Sequence, residues 1–251
     1  MSKTEPQNTA YDGVTIVYSA SVLADGVVEL STDKGGFCFL SEYKHKEQEP
    51  ERWNPDADKL AFLEGTASRV TKETKAVQES KNLYPLLQPA LDHVFSKSQD
   101  LVVLELGPNT STVAPEVLKE RLKLYTAIEL IPGALRKQRQ FLDEDELLKE
   151  RTVSLVANTY ELPFKNASQD AVVTVSHPPF VSAAISDKKA AFTEVWRVLK
   201  DGGFFFLGPW YFKNQPPEVT AFALSLFELQ GFTSAPIDAN RRLLILKKRP
   251  V

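Results

Sequence analysis

Two carboxylates and one histidine are the residues of this 251-residue chain best placed to do chemistry. Glu105 closes the apolar run Leu101–Leu104 and stands just before a break at Gly107-Pro108-Asn109. An acid at the end of such a run is costly to bury without a partner, so Glu105 is expected to meet either a ligand or the amides of the loop. Glu129 ends a second apolar run, 22 residues after Gly107. At that separation a strand-end carboxylate can accept both ribose hydroxyls of a nucleoside. His177 opens His-Pro-Pro-Phe, and a neutral imidazole there can act as a general base or hold a substrate.

Positioning these groups requires strands that end together. The run 101–106 is short and nearly free of polar residues, as a parallel strand buried on both faces should be. It is followed by Thr110, Ser111 and Thr112 and then a helical pattern over 113–122, with Pro115 tolerated in the first turn. Strand, tight turn and helix start together predict an anion-facing loop with a hydroxyl cap. Strands are predicted at 124–130, 153–157, 170–176, 204–208 and 241–248, and helices from about 133, over 187–200 and over 219–231. Gly202-Gly203 is expected to stop the helix at 187–200. This alternation predicts an α/β fold, a mostly parallel sheet of the seven-stranded type with helices on both faces. Ligands then sit beyond the carboxyl ends of the strands, where Glu105, Gly107, Asn109, Thr110, Glu129, Asn158, Thr159, Ser176 and His177 all fall.

The first 95 residues are of another character. Short β-rich runs at 14–18, 27–30 and 37–40 predict a small meander. A charged, proline-bearing segment follows at 44–59, then helical spacing over 60–75 and 82–95 broken by Pro85 and Pro89. The division expected is an N-terminal extension, 1–95, and a Rossmann-like domain, 96–251. Unpaired edges in the extension favour pairing with the main sheet or with another subunit, so a cap, a substrate-recognition element or a homodimer contact is expected there.

Composition narrows the setting. A net charge of −3 disfavours a broad nucleic-acid surface, and Cys38 is the only cysteine, so no internal disulfide or cysteine cluster forms. The three histidines show no ligand spacing, and no metal is expected. No apolar run reaches membrane-spanning length, and the first residues carry no leader pattern, so a cytoplasmic protein is expected.

In order and spacing, LELGP (104–108), the acid of AIEL (127–130), ANTYELPF (157–164), SQDAVVTVS (168–176) and FTEVWRVLKDGGFFFL (192–207) resemble the class I S-adenosylmethionine-dependent methyltransferases. The resemblance spans about 95–250 and implies S-adenosyl-L-methionine as cofactor. It implies that Glu105 orients the loop or meets the cofactor's amino-acid end, that Gly107 lets the backbone approach the cofactor, and that Glu129 holds the ribose. Asn158 stands where the family often has an acid for the adenine amino group, with Thr159 beside it. Asn109 and Ser111 replace glycines common in the family. Asn109 tolerates a left-handed backbone, while Ser111 adds a side chain near the cofactor. His177-Pro178-Pro179-Phe180 resembles the motif with which amino-group methyltransferases hold a planar nitrogen. His177, Phe180, Trp210 and Tyr211 are then candidates to face the substrate. The expected activity is O- or N-methylation of a small or medium-sized molecule. The alternatives are an inactive methyltransferase fold used as a binding scaffold, and methylation of a nucleic-acid or protein amino group.

Overall fold

The computed structural model describes residues 7–11, 14–22, 28–31, 67, 69–72, 75, 84–175, 177–181, 183–210, 216–234 and 242–250. Its centre is a ten-stranded sheet. Strands β1 (Gln7–Tyr11), β2 (Val14–Val22) and β3 (Val28–Ser31) precede helix α1 (Tyr84–Phe95). Then come β4 (Leu101–Leu106), α2 (Val113–Leu118), a 3-10 turn (Lys119–Arg121), β5 (Leu122–Glu129), α3 (Pro132–Leu142), α4 (Glu146–Arg151) and β6 (Thr152–Val156). The chain continues through β7 (Gln169–Val175), α5 (Pro178–Val181), α6 (Ile185–Val198), β8 (Leu199–Trp210), α7 (Pro217–Leu226), β9 (Phe227–Ser234) and β10 (Arg242–Lys248). The order across the sheet is β1-β2-β3-β6-β5-β4-β7-β8-β10-β9.

Strands β6, β5, β4, β7 and β8 are mutually parallel, and β10 runs antiparallel between β8 and β9. The order reverses at β4, whose C-terminal end is therefore the crevice where ligands of such sheets bind. The mostly parallel α/β sheet expected from the alternation is present.

Pleating sorts the core into two layers. Val102, Leu104 and Leu106 face one side with Phe192, Val195 and Val198 of α6 and Val219 of α7. Leu101 and Val103 face the other, with Leu87 and Leu91 of α1, Leu118 of α2 and Leu135 of α3. By the same alternation Glu105 points into the second layer.

The segment expected to be helical over 219–231 divides. Helix α7 stops at Leu226, and Phe227–Ser234 runs antiparallel along β10. Helical periodicity across 222, 226 and 229 is overridden by the hydrogen bonds that β10 offers its neighbour. The helix expected over 113–122 stops at Leu118, where the 3-10 turn leads into β5. Gly202, with φ +75°, lies inside β8 rather than at a helix end.

At the N-terminus β2 and β3 fall on the runs expected at 14–18 and 27–30, their antiparallel neighbour β1 lies where no strand was expected, and β3 adds in parallel to β6 through Val28 opposite Leu155 and Glu29 opposite Val156. Residues 37–40 and 44–59, and most of 60–75, lie outside the described residues.

Candidate cofactor cleft

The cleft is built from four strand ends. Gly107 leaves β4 with φ +66° and donates its N–H to Ile128 O at 2.8 Å, which ties the turn to β5. Asn109 follows with φ +55°, the left-handed conformation that its residue type tolerates. Thr110, Ser111 and Thr112 are all buried. Thr112 turns its hydroxyl to Glu116, and the helix-start N–H of Val113 goes to Ser111 Oγ at 3.3 Å. The N-cap residue, Thr112, makes no side-chain cap bond, so the expected hydroxyl cap is replaced by this short Ser111 turn. Helix α2 has six residues, too few for the dipole-driven anion site expected there.

Glu105 is fully buried. Tyr125 Oη donates to its Oε2 at 2.6 Å. Gln138 Nε2 donates both to Tyr125 Oη and to the carbonyl of Ser111. This chain of polar side chains reaches the cofactor loop from beneath. Glu105 therefore stands where it can orient the loop. Sequence reasoning missed Tyr125 and Gln138. A glutamine on the apolar side of α3 was the available signal.

Glu129 ends β5 and is 7 % exposed. Leu130 N donates to Oε1 at 2.8 Å and Asn109 N to Oε2 at 3.3 Å, with Ile131 N–H also facing the carboxylate. Burial pushes its pKa up to about 7, against the pull of those three backbone donors. The acid joins the β4 loop to the end of β5, and its contact with Asn109 is longer than that with Leu130.

The third strand end, after β6, is an Asx turn. Asn158 Oδ1 accepts from Tyr160 N at 3.0 Å, which engages the amide expected at the adenine. The turn continues to Leu162 and Phe164, both in the core. Arg197 and Glu194 of α6 hold it: Arg197 Nη2 donates to Leu162 O at 2.8 Å, and Leu162 N donates to Glu194 Oε2 at 2.7 Å. Two segments that carry the family resemblance, ELPF and FTEVWRVL, are thus hydrogen-bonded partners.

The fourth end brings in His177. Its ring is 6 % exposed, and its Nε2 lies 2.6 Å from Thr159 Oγ1. Its other side covers Gly107. A Cβ built on Gly107 would stand 2.2 Å from His177 Nδ1, so only glycine leaves room for the imidazole. Burial holds the imidazole pKa down to about 3. The backbone approach that Gly107 permits is, in this structure, the approach of a protein side chain.

Phe180 needs correction as a substrate contact. It is 1 % exposed, with ring centroids 5.3 Å from Phe192 and 5.4 Å from Phe205 in the core. An aromatic with apolar neighbours on both sides gains more from that burial than from lining a wet cleft. Trp210 ends β8, opposite Arg242. Ser176 and Tyr211 lie outside the described residues, as does the Trp210 side chain.

Glu105, Gly107, Asn109, Thr110, Glu129, Asn158, Thr159 and His177 therefore converge on one sheet edge. Among the described residues no group of His, Cys, Asp or Glu could hold a metal ion, and no helix is long and apolar enough to cross a membrane.

The sequence profile of the methyltransferase domain matches residues 104–207, from within β4 to within β8. Over that stretch the chain is similar to a methyltransferase domain. Solved structures share its fold. The PH0226 protein from Pyrococcus horikoshii OT3 is 16% identical, with 74% of this chain and 95% of that one covered at a TM-score of 0.56. A SAM-dependent methyltransferase from Methanosarcina mazei is 17% identical over 65% of this chain and 98% of its own, at 0.52. The cyclase SpnF is 14% identical over 66% and 81%, at 0.53. No curated protein matches the sequence. The methyl donor of the family is S-adenosylmethionine.

Proposed function

We propose that this methyltransferase domain transfers the methyl group of S-adenosylmethionine to the oxygen or nitrogen of a small or medium-sized molecule. Glu129 is the observation that carries the reading. It is a buried acid at the end of the second parallel strand, held among the described residues by backbone N–H groups. Its acceptor directions suit a ribose, with the long Asn109 bond the one a ribose hydroxyl would replace. Asn109 in its left-handed turn, the Asn158 turn and buried Thr159 complete a polar wall of the right chemistry for a nucleoside.

When bound, S-adenosylmethionine supplies a methyl group on a sulfonium, transferred by in-line displacement to a nucleophile held against it. The protein's work is then positioning. Glu105, through Tyr125 and Gln138, would fix the loop, and Glu129 would fix the ribose. A small acceptor agrees with the net charge of −3, which offers no attraction to a polyanion. Methylation of a nucleic-acid or protein amino group loses its support, because the stacking aromatic that it requires, Phe180, is a core residue. The scaffold reading keeps one observation in its favour, the imidazole over Gly107.

Titration calorimetry with S-adenosylmethionine and S-adenosylhomocysteine separates the two readings. Binding is expected, and silence up to millimolar ligand would overturn the enzyme. Glu129→Ala should weaken the affinity by about 1–3 kcal/mol, the cost of leaving buried polar partners unmet; an unchanged affinity removes the ribose role.

A further inference from the structure

We propose that the His177 side chain is a displaceable plug of the cofactor cleft, seated against Gly107 and latched by Thr159, and that it sets how tightly this domain holds its nucleoside cofactor. The proposal rests on the reading of the cleft given above. Its geometric basis is that the imidazole fills ground between two strand ends that a ligand in this cleft must touch. One edge of the ring lies on the α-carbon of Gly107, and the other meets the Thr159 hydroxyl at 2.6 Å. A molecule cannot lie against Gly107 while the ring is there.

The ring is also held in a manner that allows release. Among the described residues one side-chain hydrogen bond latches it, and its nearest aromatic partner there, Phe180, is tilted at a centroid distance of 6.2 Å, looser than the 5.3 Å of Phe180 on Phe192. The backbone beneath does not have to move. His177 O accepts from Phe180 N at 3.1 Å, and Pro178 and Pro179 stiffen the start of α5. The motion proposed is a rotation about the two side-chain torsions of His177. Because the buried ring is neutral, moving it carries no charge-separation cost. A cofactor that binds only the swung-out state has its affinity reduced by the fraction of molecules in that state.

The direction of the effect separates a plug from a contact. Damage to a binding wall weakens affinity, whereas removal of a plug strengthens it. Calorimetric titration of S-adenosylhomocysteine into the full chain and into His177→Ala should show binding about tenfold tighter in the variant, as expected when a mostly closed state is relieved. Thr159→Val retains the imidazole but removes its latch, and should tighten binding by a smaller factor. It also keeps the question answerable where His177→Ala does not fold. In the wild-type protein the imidazole Cε1–H resonance of His177 should shift on saturation with the ligand, as the ring leaves Gly107. Equal or weaker affinity in the variants, or an unmoved resonance in a saturated protein, overturns the plug while leaving the cofactor reading intact. Failure of wild type and both variants to bind overturns the cofactor reading and the plug with it.

Discussion

The two ends of the cleft solve the problem of a buried polar side chain in opposite ways. At the Glu129 end a carboxylate is surrounded by backbone N–H groups of Asn109, Leu130 and Ile131, and its pKa rises to about 7 because burial outweighs those donors. At the Gly107 end an imidazole is surrounded by a glycine α-carbon, one hydroxyl and an aromatic ring, and burial drives its pKa down to about 3. Near neutrality the first group is poised to change its charge and the second is fixed neutral. One end offers a carboxylate for charge-assisted hydrogen bonds; the other offers a neutral ring that fills space. Burial alone sets neither role. The atoms supplied by the facing strand ends do.

The largest effect should come from behind the histidine. Phe180→Ala removes a fully buried ring shared with Phe192 and Phe205 and should cost about 3–5 kcal/mol, measured by denaturant unfolding. A cost under 1 kcal/mol would return Phe180 to the substrate wall.

The pH dependence of stability tests both ends at once. The folded protein resists protonating His177, so that contribution is full above the unfolded pKa of 6.5 and lost as pH falls toward 3. Glu129 has the opposite sign: its contribution is full below 4.5 and lost as pH rises through about 7. Between pH 4.5 and 6.5 the two slopes oppose each other. Glu129→Gln should therefore uncover a stability that rises with pH by about 1.4 kcal/mol per unit across that range, and His177→Asn should uncover a fall of similar size. Urea unfolding at a series of pH values reads both; parallel profiles for the two variants would show that one of the groups is not buried as described.

Gly107→Ala sets a methyl group against the imidazole and forces a side chain into φ +66°. The cost should be about 2–3 kcal/mol. The double variant with His177→Ala should recover the steric part and leave only the backbone part. Additive costs would mean that the ring does not rest on Gly107. The smallest effect belongs to the loop itself. Asn109→Ala should cost about 1 kcal/mol, and Asn109→Gly should cost less or stabilise, because only the backbone conformation is at stake.

Much of this was legible in the sequence where apolar runs are uninterrupted. Leu101–Leu104 reads as a strand because nothing in it competes with burial on both faces, and Asn109 is of a residue type that tolerates the left-handed turn it adopts. The β9 segment was illegible because its strand state depends on β10, which the chain reaches only later. Within the site, Glu129 could be located by spacing from Gly107. The pairings of Glu105 with Tyr125 and of His177 with Gly107 could not. They arise where β4, β5 and β7 come side by side, and side-chain facing across three strands is not encoded in any one of them.

The attachment of β3 to β6 has a consequence for how the molecule comes into being. Strands β1, β2 and β3 can zip together locally as soon as they are made, yet the surface on which β3 docks, Leu155 and Val156, is synthesised much later. Until then the meander has an open edge and no sheet to join. Joining β3 to β6 closes a loop of more than a hundred residues, an entropic cost that a contact between neighbouring strands does not carry. An edge strand left unpaired is a template on which another chain can pair, so the β3–β6 junction also covers such an edge.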